Sequence, residues 1–325
     1  METASDPLAA PATTARIDAL RAAGVLDAQQ APVALAAAAH TPDVEQWRGA
    51  LDRILLGLGA ALLVAGIIFF FAYNWADLGK TGKFVLLGMG VLVPAAFALS
   101  RPAALSGQVA LTAAVGITGA LLAVYGQIYQ TGADAWNLFA GWAALTLPWS
   151  LGGRFRPLWL LWLAIAELAL SLWWEQAGPS DPELWMPTAL AAINGAAWAL
   201  AERWPTPSRW LIRVLAVACI GALVVPAVAL AIDESSAPGV LALLALLALA
   251  AAAIGPYRPN GRADLLVVSV VLLAAITVAS TFLGRLFFDG MQLEQGGVLM
   301  LALAIIGEIA GAAALIQNLR RRDAA

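Results

Sequence analysis

The sequence predicts an all-α membrane protein: a polytopic bundle of about ten transmembrane helices, with both termini in the cytoplasm and a small amino-terminal helical hairpin. The first ground is composition, since 62% of the 325 residues are hydrophobic and 12% are charged, and the mean hydropathy is +0.82. Soluble domains average about 45–50% apolar and about 25% charged residues. The second ground is a succession of long apolar stretches, and the third is the placement of the 18 Lys and Arg residues between them.

The first fifty residues are predicted to form a cytoplasmic amphipathic hairpin. Thr13 or Thr14 caps its first helix, and Gly24 ends that helix. Asp27 caps the second helix, and the polar residues that follow it interrupt the apolar run that a cleavable signal peptide requires. We therefore expect the first transmembrane span to act as an uncleaved signal anchor. The hairpin is either a docking or oligomerisation arm, or a leader that lies on the membrane surface.

Ten apolar stretches follow, and most reach the roughly 17–25 residues that a helix needs to cross the hydrocarbon core. They lie at about residues 54–73, 83–99, 108–129, 137–151, 157–174, 185–201, 210–232, 238–254, 264–283 and 297–317. The fourth stretch is short and contains Pro148, so its length alone does not decide whether it crosses. The predicted organisation is a hairpin over 1–50, a transmembrane bundle over 51–319 and a basic cytoplasmic tail over 320–325.

The distribution of basic residues favours ten spans with an internal amino terminus, because cytoplasmic loops retain Lys and Arg. With ten spans, 15 of these residues lie inside and three, Lys80, Lys83 and Arg285, lie outside. Without the fourth span, six lie inside and 12 outside. The predicted inner set comprises Arg16, Arg21, Arg48, Arg53, Arg101, Arg154, Arg156, Arg203, Arg209, Arg213, Arg258, Arg262, Arg320, Arg321 and Arg322.

Three segments carry a resemblance to a known family. They are the turn AAGVLDAQQ of the hairpin, the end of the first span in GIIFFFAYNWADLGKTGK, and the third span with its continuation, GALLAVYGQIYQTGADAWNLFAGWAALTLPW. Together they resemble the prokaryotic membrane family called domain of unknown function 2157, over about residues 14–150. The resemblance implies a location in the bacterial inner membrane and adds no catalytic residue.

Polar and aromatic residues are concentrated in two segments that are predicted to lie at the outer face. These candidate binding residues are Asn74, Trp75 and Asp77 after the first span, and Gln127, Tyr129, Gln130, Asp134, Trp136 and Asn137 between the third and fourth spans. Aromatic faces with amides and carboxylates are suited to a sugar, a lipid headgroup or a partner polypeptide. Alternatively, the aromatic residues anchor the protein at the membrane interface while Asp134 and Asn137 cap the fourth helix.

Two carboxylates are predicted inside the hydrocarbon, Glu167 in the fifth span and Glu308 in the tenth, with Asn194 of the sixth span as a candidate partner. Ionisable groups at that depth are costly and face other helices or water. They serve either as hydrogen-bonded packing groups or as a proton or ion relay. Gly307 and Gly311 form a GxxxG step that would let another helix approach Glu308 closely.

The second and seventh spans contain similar proline-bearing segments, GVLVPAAFAL at 90–99 and GALVVPAVAL at 221–230. In a five-plus-five arrangement these would be corresponding helices of an inverted repeat. Transporters with inverted repeats bind their solutes at interrupted helices near the membrane midplane. This similarity, with the two intramembrane carboxylates, keeps a transport hypothesis open.

Several chemistries are disfavoured by the residues that the chain contains. Cys219 and His40 are its single cysteine and histidine, which excludes disulfides, Cys/His zinc sites and bis-histidine haem sites within one chain. The sequence contains no GxxxxGK[ST], HExxH or GxSxG motif. We therefore expect no enzymatic activity, no metal and no cofactor. The absence of a long Lys/Arg block argues against nucleic acid as a partner.

Three functional hypotheses follow from these patterns. The favoured one is a non-enzymatic interaction or scaffold component of the bacterial inner membrane, with membrane lipids and other envelope membrane proteins as partners. The alternative is a proton- or ion-coupled transporter of a small solute, which would use the intramembrane carboxylates. The third is a lipid-modifying enzyme using Asp77 and Asp134.

Overall fold

The structure, a computed structural model, describes residues 14–27, 29–38, 47–52, 54–55, 58–59, 62, 66, 69, 73–153, 155–178, 185–204, 206–232, 236–255, 257, 263–291 and 295–324. Thr13, His40, Arg53, Arg154, Arg258 and Arg262, to which the sequence predictions refer, lie outside these residues. The chain divides into two compact units, Met1–Gly79 and Lys80–Ala325.

The first unit contains the predicted hairpin helices, α1 (Thr14–Ala22) and α2 (Gln30–Ala38), which contact each other. Gly24 follows α1 with a positive φ of 70°, a conformation that glycine adopts without steric cost. Asp27 caps α2 as predicted, because its Oδ1 accepts hydrogen bonds from the backbone N–H groups of Gln29 at 2.8 Å and Gln30 at 2.6 Å. The described residues from 47 to 73 are helical, and a turn follows at 74–78.

The second unit is built from nine α-helices within its described residues. They are α3 (Lys80–Ser100), α4 (Leu105–Tyr129), α5 (Ala135–Gly152), α6 (Arg156–Ala177), α7 (Trp185–Glu202), α8 (Arg209–Ile232), α9 (Ala237–Ile254), α10 (Leu265–Arg285) and α11 (Gln295–Ala324). A short π-helical turn, Leu286–Gly290, follows α10. The described residues of the whole chain contain no β-strand, so the all-α fold class is confirmed.

Seven helices of the second unit are long and apolar enough to cross a membrane: α3, α4, α6, α8, α9, α10 and α11. The two others, α5 and α7, are each 18 residues long and are less apolar on average over that length. The prediction of several helices able to cross a membrane is therefore confirmed for these seven.

Consecutive helices run antiparallel. The indole N–H of Trp142 in α5 donates to the carbonyl oxygen of Val115 in α4 at 2.7 Å. That of Trp162 in α6 donates to the carbonyl oxygen of Ala143 in α5 at 2.8 Å. Each of these bonds joins the middle of one helix to the middle of the preceding helix. α5 therefore packs alongside α4 in the opposite direction, and α6 packs alongside α5 in the same way.

Two hydrogen bonds between segments that are distant in sequence show which helix ends lie at the same end of the bundle. At one end, Arg156 at the start of α6 donates from Nη2 to Oγ1 of Thr206, just before α8, at 3.0 Å. At the other, Arg285 of α10 donates to the carbonyl oxygen of Ala231 in α8 at 3.3 Å. We call the first set the basic end: the ends of α3, α5, α7, α9 and α11 and the starts of α4, α6, α8 and α10. The remaining helix ends form the opposite end.

The core of the second unit surrounds α8, which contacts α7, α9 and α10. Ile212, Ala216, Ile220 and Ala227 of α8 are almost completely buried. Pro226 lies inside α8, and Pro94 inside α3, yet both helices are continuous. Neither helix is therefore interrupted at its proline.

Candidate functional site

The predicted outer-face residues of the second unit surround the connection between α4 and α5, at the opposite end. Gln130, which follows α4, has a left-handed conformation (φ 45°, ψ 51°), and its N–H donates to the carbonyl oxygen of Gly126. Gly132 also has a positive φ of 64°. These conformations reverse the chain within the short connection 130–134. Of the predicted residues, Gln127, Tyr129, Gln130, Asp134 and Asn137 are exposed, and Trp136 is half-buried.

The capping predicted for Asp134 and Asn137 is wrong for the Asp134 side chain. Asp134 occupies the N-cap position of α5, but its side chain makes no capping hydrogen bond. Asn137 lies in the first turn, where its backbone N–H donates to the Asp134 carbonyl oxygen at 3.1 Å. The Asp134 carboxylate is therefore exposed and does not cap α5.

Two aromatic residues that the sequence analysis did not select complete this surface. The ring centroid of Tyr129 lies 4.8 Å from that of Tyr125 and 6.0 Å from that of Phe84 in α3. Tyr125 and Tyr129 are 50% and 60% exposed. Their spacing of four residues places them on one face of α4 and is a signal that the sequence already contained. We call Phe84, Tyr125, Gln127, Tyr129, Gln130, Asp134, Trp136 and Asn137 the rim.

Trp136 connects the rim to the end of α6. Its backbone N–H donates to Gln176 Oε1 at 3.4 Å. The indole nitrogens of Trp136 and Trp174 are buried, and neither has a hydrogen-bond acceptor among the described residues. An indole N–H can only donate, so each of these two groups requires an acceptor oxygen.

The other predicted outer-face residues belong to the first unit. Asn74, Trp75 and Asp77 lie in the turn at 74–78, in which the N–H of Leu78 donates to the carbonyl oxygen of Asn74 at 3.3 Å. That these residues and the rim form one surface stays a prediction.

The structure brings Glu167 of α6 together with Asn194 of α7. Asn194 Nδ2 donates to Glu167 Oε1 at 2.6 Å and to the carbonyl oxygen of Leu190 at 3.0 Å. Asn194 is buried, with 4% of its surface exposed. The pair therefore cross-links two helices, and the buried amide of Asn194 has the half-buried carboxylate of Glu167 as its partner.

Glu308 of α11 has a separate partner. Ser280 Oγ of α10 donates to Glu308 Oε2 at 2.8 Å. The predicted role of the GxxxG step is not found within the described residues, because no atom of another helix lies within 4 Å of the Cβ positions of Gly307 and Gly311. The two carboxylates thus occupy different helix pairs, α6–α7 and α10–α11.

A polar network that the sequence analysis missed lies at the basic end. Arg209 Nη2 is 2.6 Å from Glu202 Oε1, and the hydroxyl of Tyr257 donates to the same oxygen. The hydroxyl also accepts a hydrogen bond from Arg209 Nη1 at 3.4 Å. Burial, followed by the hydrogen bond to Glu202, raises the pKa of Tyr257 to about 12, so this hydroxyl remains a donor at neutral pH.

Asp264 continues the network at the start of α10. Arg213 Nε of α8 lies 3.2 and 3.1 Å from its two carboxylate oxygens, and its Oδ1 accepts the backbone N–H of Leu266 at 3.2 Å. The Asp264 side chain is 1% exposed. An acidic residue directly before an apolar run is a helix-start signal, and it could have identified Asp264 as a cap. Its pairing with Arg213 depends on a contact between helices that are distant in sequence.

The described residues of the second unit line cavities of about 350, 510 and 280 Å³. The first lies between α3, α4 and α5, the second between α6, α7 and α8, and the third beside Trp198, Cys219 and Tyr257. Glu167 and Glu308 are not among their lining residues. No group of three His, Cys, Asp or Glu side chains able to hold a metal ion occurs among the described residues.

Comparison with known proteins bears on the amino-terminal part of the chain. A family model described as "Predicted membrane protein (DUF2157)" matches residues 18–159. Residues 18–159 are therefore similar to the DUF2157 family. This confirms the resemblance expected from the sequence. No curated protein and no solved structure matches the chain.

The DUF2157 region begins within α1 and ends in the first turn of α6. It includes the rim and the turn at 74–78, and it ends before Glu167, Asn194 and Glu308. The family assignment supports membrane character and prescribes no activity.

Proposed function

We propose that the chain is a non-enzymatic interaction component of the bacterial inner membrane that presents the rim to the periplasm. In this proposal the chain crosses the membrane ten times and keeps both termini in the cytoplasm. The observation that carries the proposal is the rim itself, an exposed group of aromatic, amide and carboxylate side chains at the end of the bundle opposite to most arginines.

The charge of the two ends supports this orientation. Among the described residues of the second unit, the basic end contains Arg101, Arg156, Arg203, Arg209, Arg213, Arg320, Arg321 and Arg322. The opposite end contains Lys80, Lys83 and Arg285. Lys and Arg near the ends of short loops are retained in the cytoplasm, so the basic end is assigned to that side. The antiparallel packing of α5 and α7 with their neighbours supports counting both as crossings.

The chemistry of the rim supports recognition of a polypeptide. The exposed faces of Tyr125 and Tyr129 offer apolar contact area, and Gln127 and Gln130 offer hydrogen-bond donors and acceptors. Tyrosine and tryptophan dominate the binding energy at many protein interfaces. Asp134 adds a negative charge and would favour a basic partner surface.

Cysteine labelling tests the orientation. In a Cys219→Ser background, Ala133→Cys should react in intact cells with a membrane-impermeant maleimide that reaches the periplasm, and Pro207→Cys should react only after lysis. Both positions are exposed at the ends of helices, the first at the opposite end and the second at the basic end. Labelling of Pro207→Cys in intact cells would overturn the ten-span threading, since the position lies beyond α5 and reports whether that helix crosses.

Site-specific photo-crosslinking tests the interaction role. A photoreactive phenylalanine at Tyr129 should give a discrete protein adduct in intact cells, and Asp134→Lys should lower its yield by about fivefold to tenfold. This loss corresponds to the roughly 1 kcal/mol or more that a residue contributing measurably to an interface supplies.

The matched control places the photoreactive group at Leu151, which is 64% exposed and lies at the basic end. It should not give the same adduct. Lipid adducts alone at Tyr129, or one adduct pattern at both positions, would contradict the proposal.

Transport of a small solute is the second candidate, and the 2.6 Å hydrogen bond between Asn194 and Glu167 favours it. A carboxylate held by one amide inside a membrane is a typical proton-relay group. Glu167 does not line the cavities of about 350, 510 and 280 Å³ described above. Proton-coupled flux in vesicles that is lost in Glu167→Gln and Glu308→Gln, at normal expression, would favour transport over the interaction role.

A further inference from the structure

We propose that the cavity of about 510 Å³ between α6, α7 and α8 binds one acyl chain of an anionic phospholipid, whose phosphate is held by Arg156. The cavity lies at the basic end, so the proposed orientation of the bundle would place this lipid in the cytoplasmic leaflet. Nothing in the proposed interaction role requires this site.

The lining of the cavity suits a hydrocarbon chain. All of its lining residues are apolar or aromatic, and three of them, Trp159, Trp162 and Trp204, are tryptophans. On α7 and its end the lining extends from Ile193 to Trp204, which is about 16 Å at 1.5 Å per residue. This length matches one leaflet, about half of the roughly 30 Å hydrocarbon core. Indoles near the helix ends mark the level of the lipid headgroups.

Arg156 lies at the headgroup end of the cavity. It precedes the lining residues Trp159 and Leu160 by three and four positions, so it shares their face of α6. Its Nη2 donates to the carbonyl oxygen and to Oγ1 of Thr206, beyond the α7 wall of the cavity. These bonds hold the guanidinium between the start of α6 and the connection that precedes α8. Both use Nη2, and no other hydrogen bond of the guanidinium is found among the described residues, which leaves Nε and Nη1 to face a phosphate.

The surrounding charge complements an anion. Arg203, next to the lining residue Trp204, is exposed and adds a second positive charge. The nearby carboxylate of Glu202 is paired with Arg209 at 2.6 Å and bonded to Tyr257, so it does not oppose the headgroup. Basic pockets between transmembrane helices on the cytoplasmic side are typical sites for anionic lipid headgroups.

Native mass spectrometry of the purified full chain, with equal amounts of phosphatidylglycerol and phosphatidylcholine in detergent, tests the site. Wild-type protein should retain one phosphatidylglycerol in preference to phosphatidylcholine. Arg156→Gln should lower that preference about fivefold, the factor that corresponds to about 1 kcal/mol for one basic residue near the headgroups. Ala197→Phe, which fills the cavity, should abolish retention of both lipids.

Arg101→Gln is the matched control, because it removes a basic-end arginine whose guanidinium lies over the Phe97 ring in another part of the bundle. It should keep the preference. Equal retention of the two lipids by wild-type protein, or loss of the preference in Arg101→Gln but not in Arg156→Gln, would overturn the proposal. So would an Ala197→Phe variant that changes the oligomeric state and leaves lipid retention intact, since a protein segment would then be the occupant. Thermal unfolding of each variant separates local loss of the site from misfolding.

Discussion

Asp264→Ala should lower the stability of the protein by about 2–3 kcal/mol. The substitution removes the N-cap of α10, a contribution of about 1 kcal/mol, and breaks the ion pair with Arg213. Removing one member of a fully buried pair costs about 3–5 kcal/mol. Here the loss is smaller, because the Arg213 side chain is 42% exposed and is hydrated once its partner is gone. The expected readout is a lower midpoint of thermal unfolding in detergent.

Asp134→Ala is the matched control for this substitution. Asp134 occupies the N-cap position of α5 without a capping hydrogen bond and is exposed, so its removal should change stability by less than about 0.5 kcal/mol. Asp264→Asn should fall between the two, since an amide oxygen can still accept the Leu266 N–H but loses the charge. If Asp264→Ala unfolds together with wild-type protein, the network at the basic end does not contribute to stability.

Gly119→Ala should destabilise the protein by about 1–2 kcal/mol, although alanine is the better helix former. A Cβ at this position would lie 2.6 Å from three ring atoms of Trp142. The ring has little freedom to move away, because its indole N–H is bonded to the Val115 carbonyl oxygen at 2.7 Å. Overpacking of this kind costs about 1–3 kcal/mol, and the gain in helix propensity of up to about 1 kcal/mol offsets part of it.

The control is Gly116→Ala in the same helix, where no atom lies within 4 Å of the added Cβ. It should leave stability unchanged or raise it slightly. In a Trp142→Leu background the penalty of Gly119→Ala should disappear, as expected for residues that interact directly. A Gly119→Ala penalty that persists without the indole ring would show that the steric explanation is wrong.

Sequence patterns within short segments were enough to predict the helices of the fold. The pattern of apolar stretches predicted the nine helices of the second unit, and Asp27 marked the start of α2. Each of these features depends on residues within one or two turns of each other, which is why periodicity and capping rules suffice. The segments resembling the family were likewise contiguous, and the family model matches them over residues 18–159.

The candidate site was predictable only in part. Gln127, Tyr129 and Gln130 stood out because they are polar or aromatic residues at the end of an apolar run. Whether Asp134 caps α5 depends on the side-chain geometry of the turn, and the sequence prediction was wrong on that point. Tyr125 was overlooked because, inside an apolar stretch, it was not distinguished from core residues.

The sequence by itself determined that this is a helical membrane protein and approximately where its helices lie, because both depend on hydrophobicity and on neighbouring residues. Tertiary structure alone decided the partners of its polar groups. Glu202 meets Tyr257 across 55 positions of the chain, and Arg213 meets Asp264 across 51. Such pairs form where two helix faces pack together. The rotation and depth of each helix are set by the fit of many side chains at once, and no short stretch of sequence contains that information.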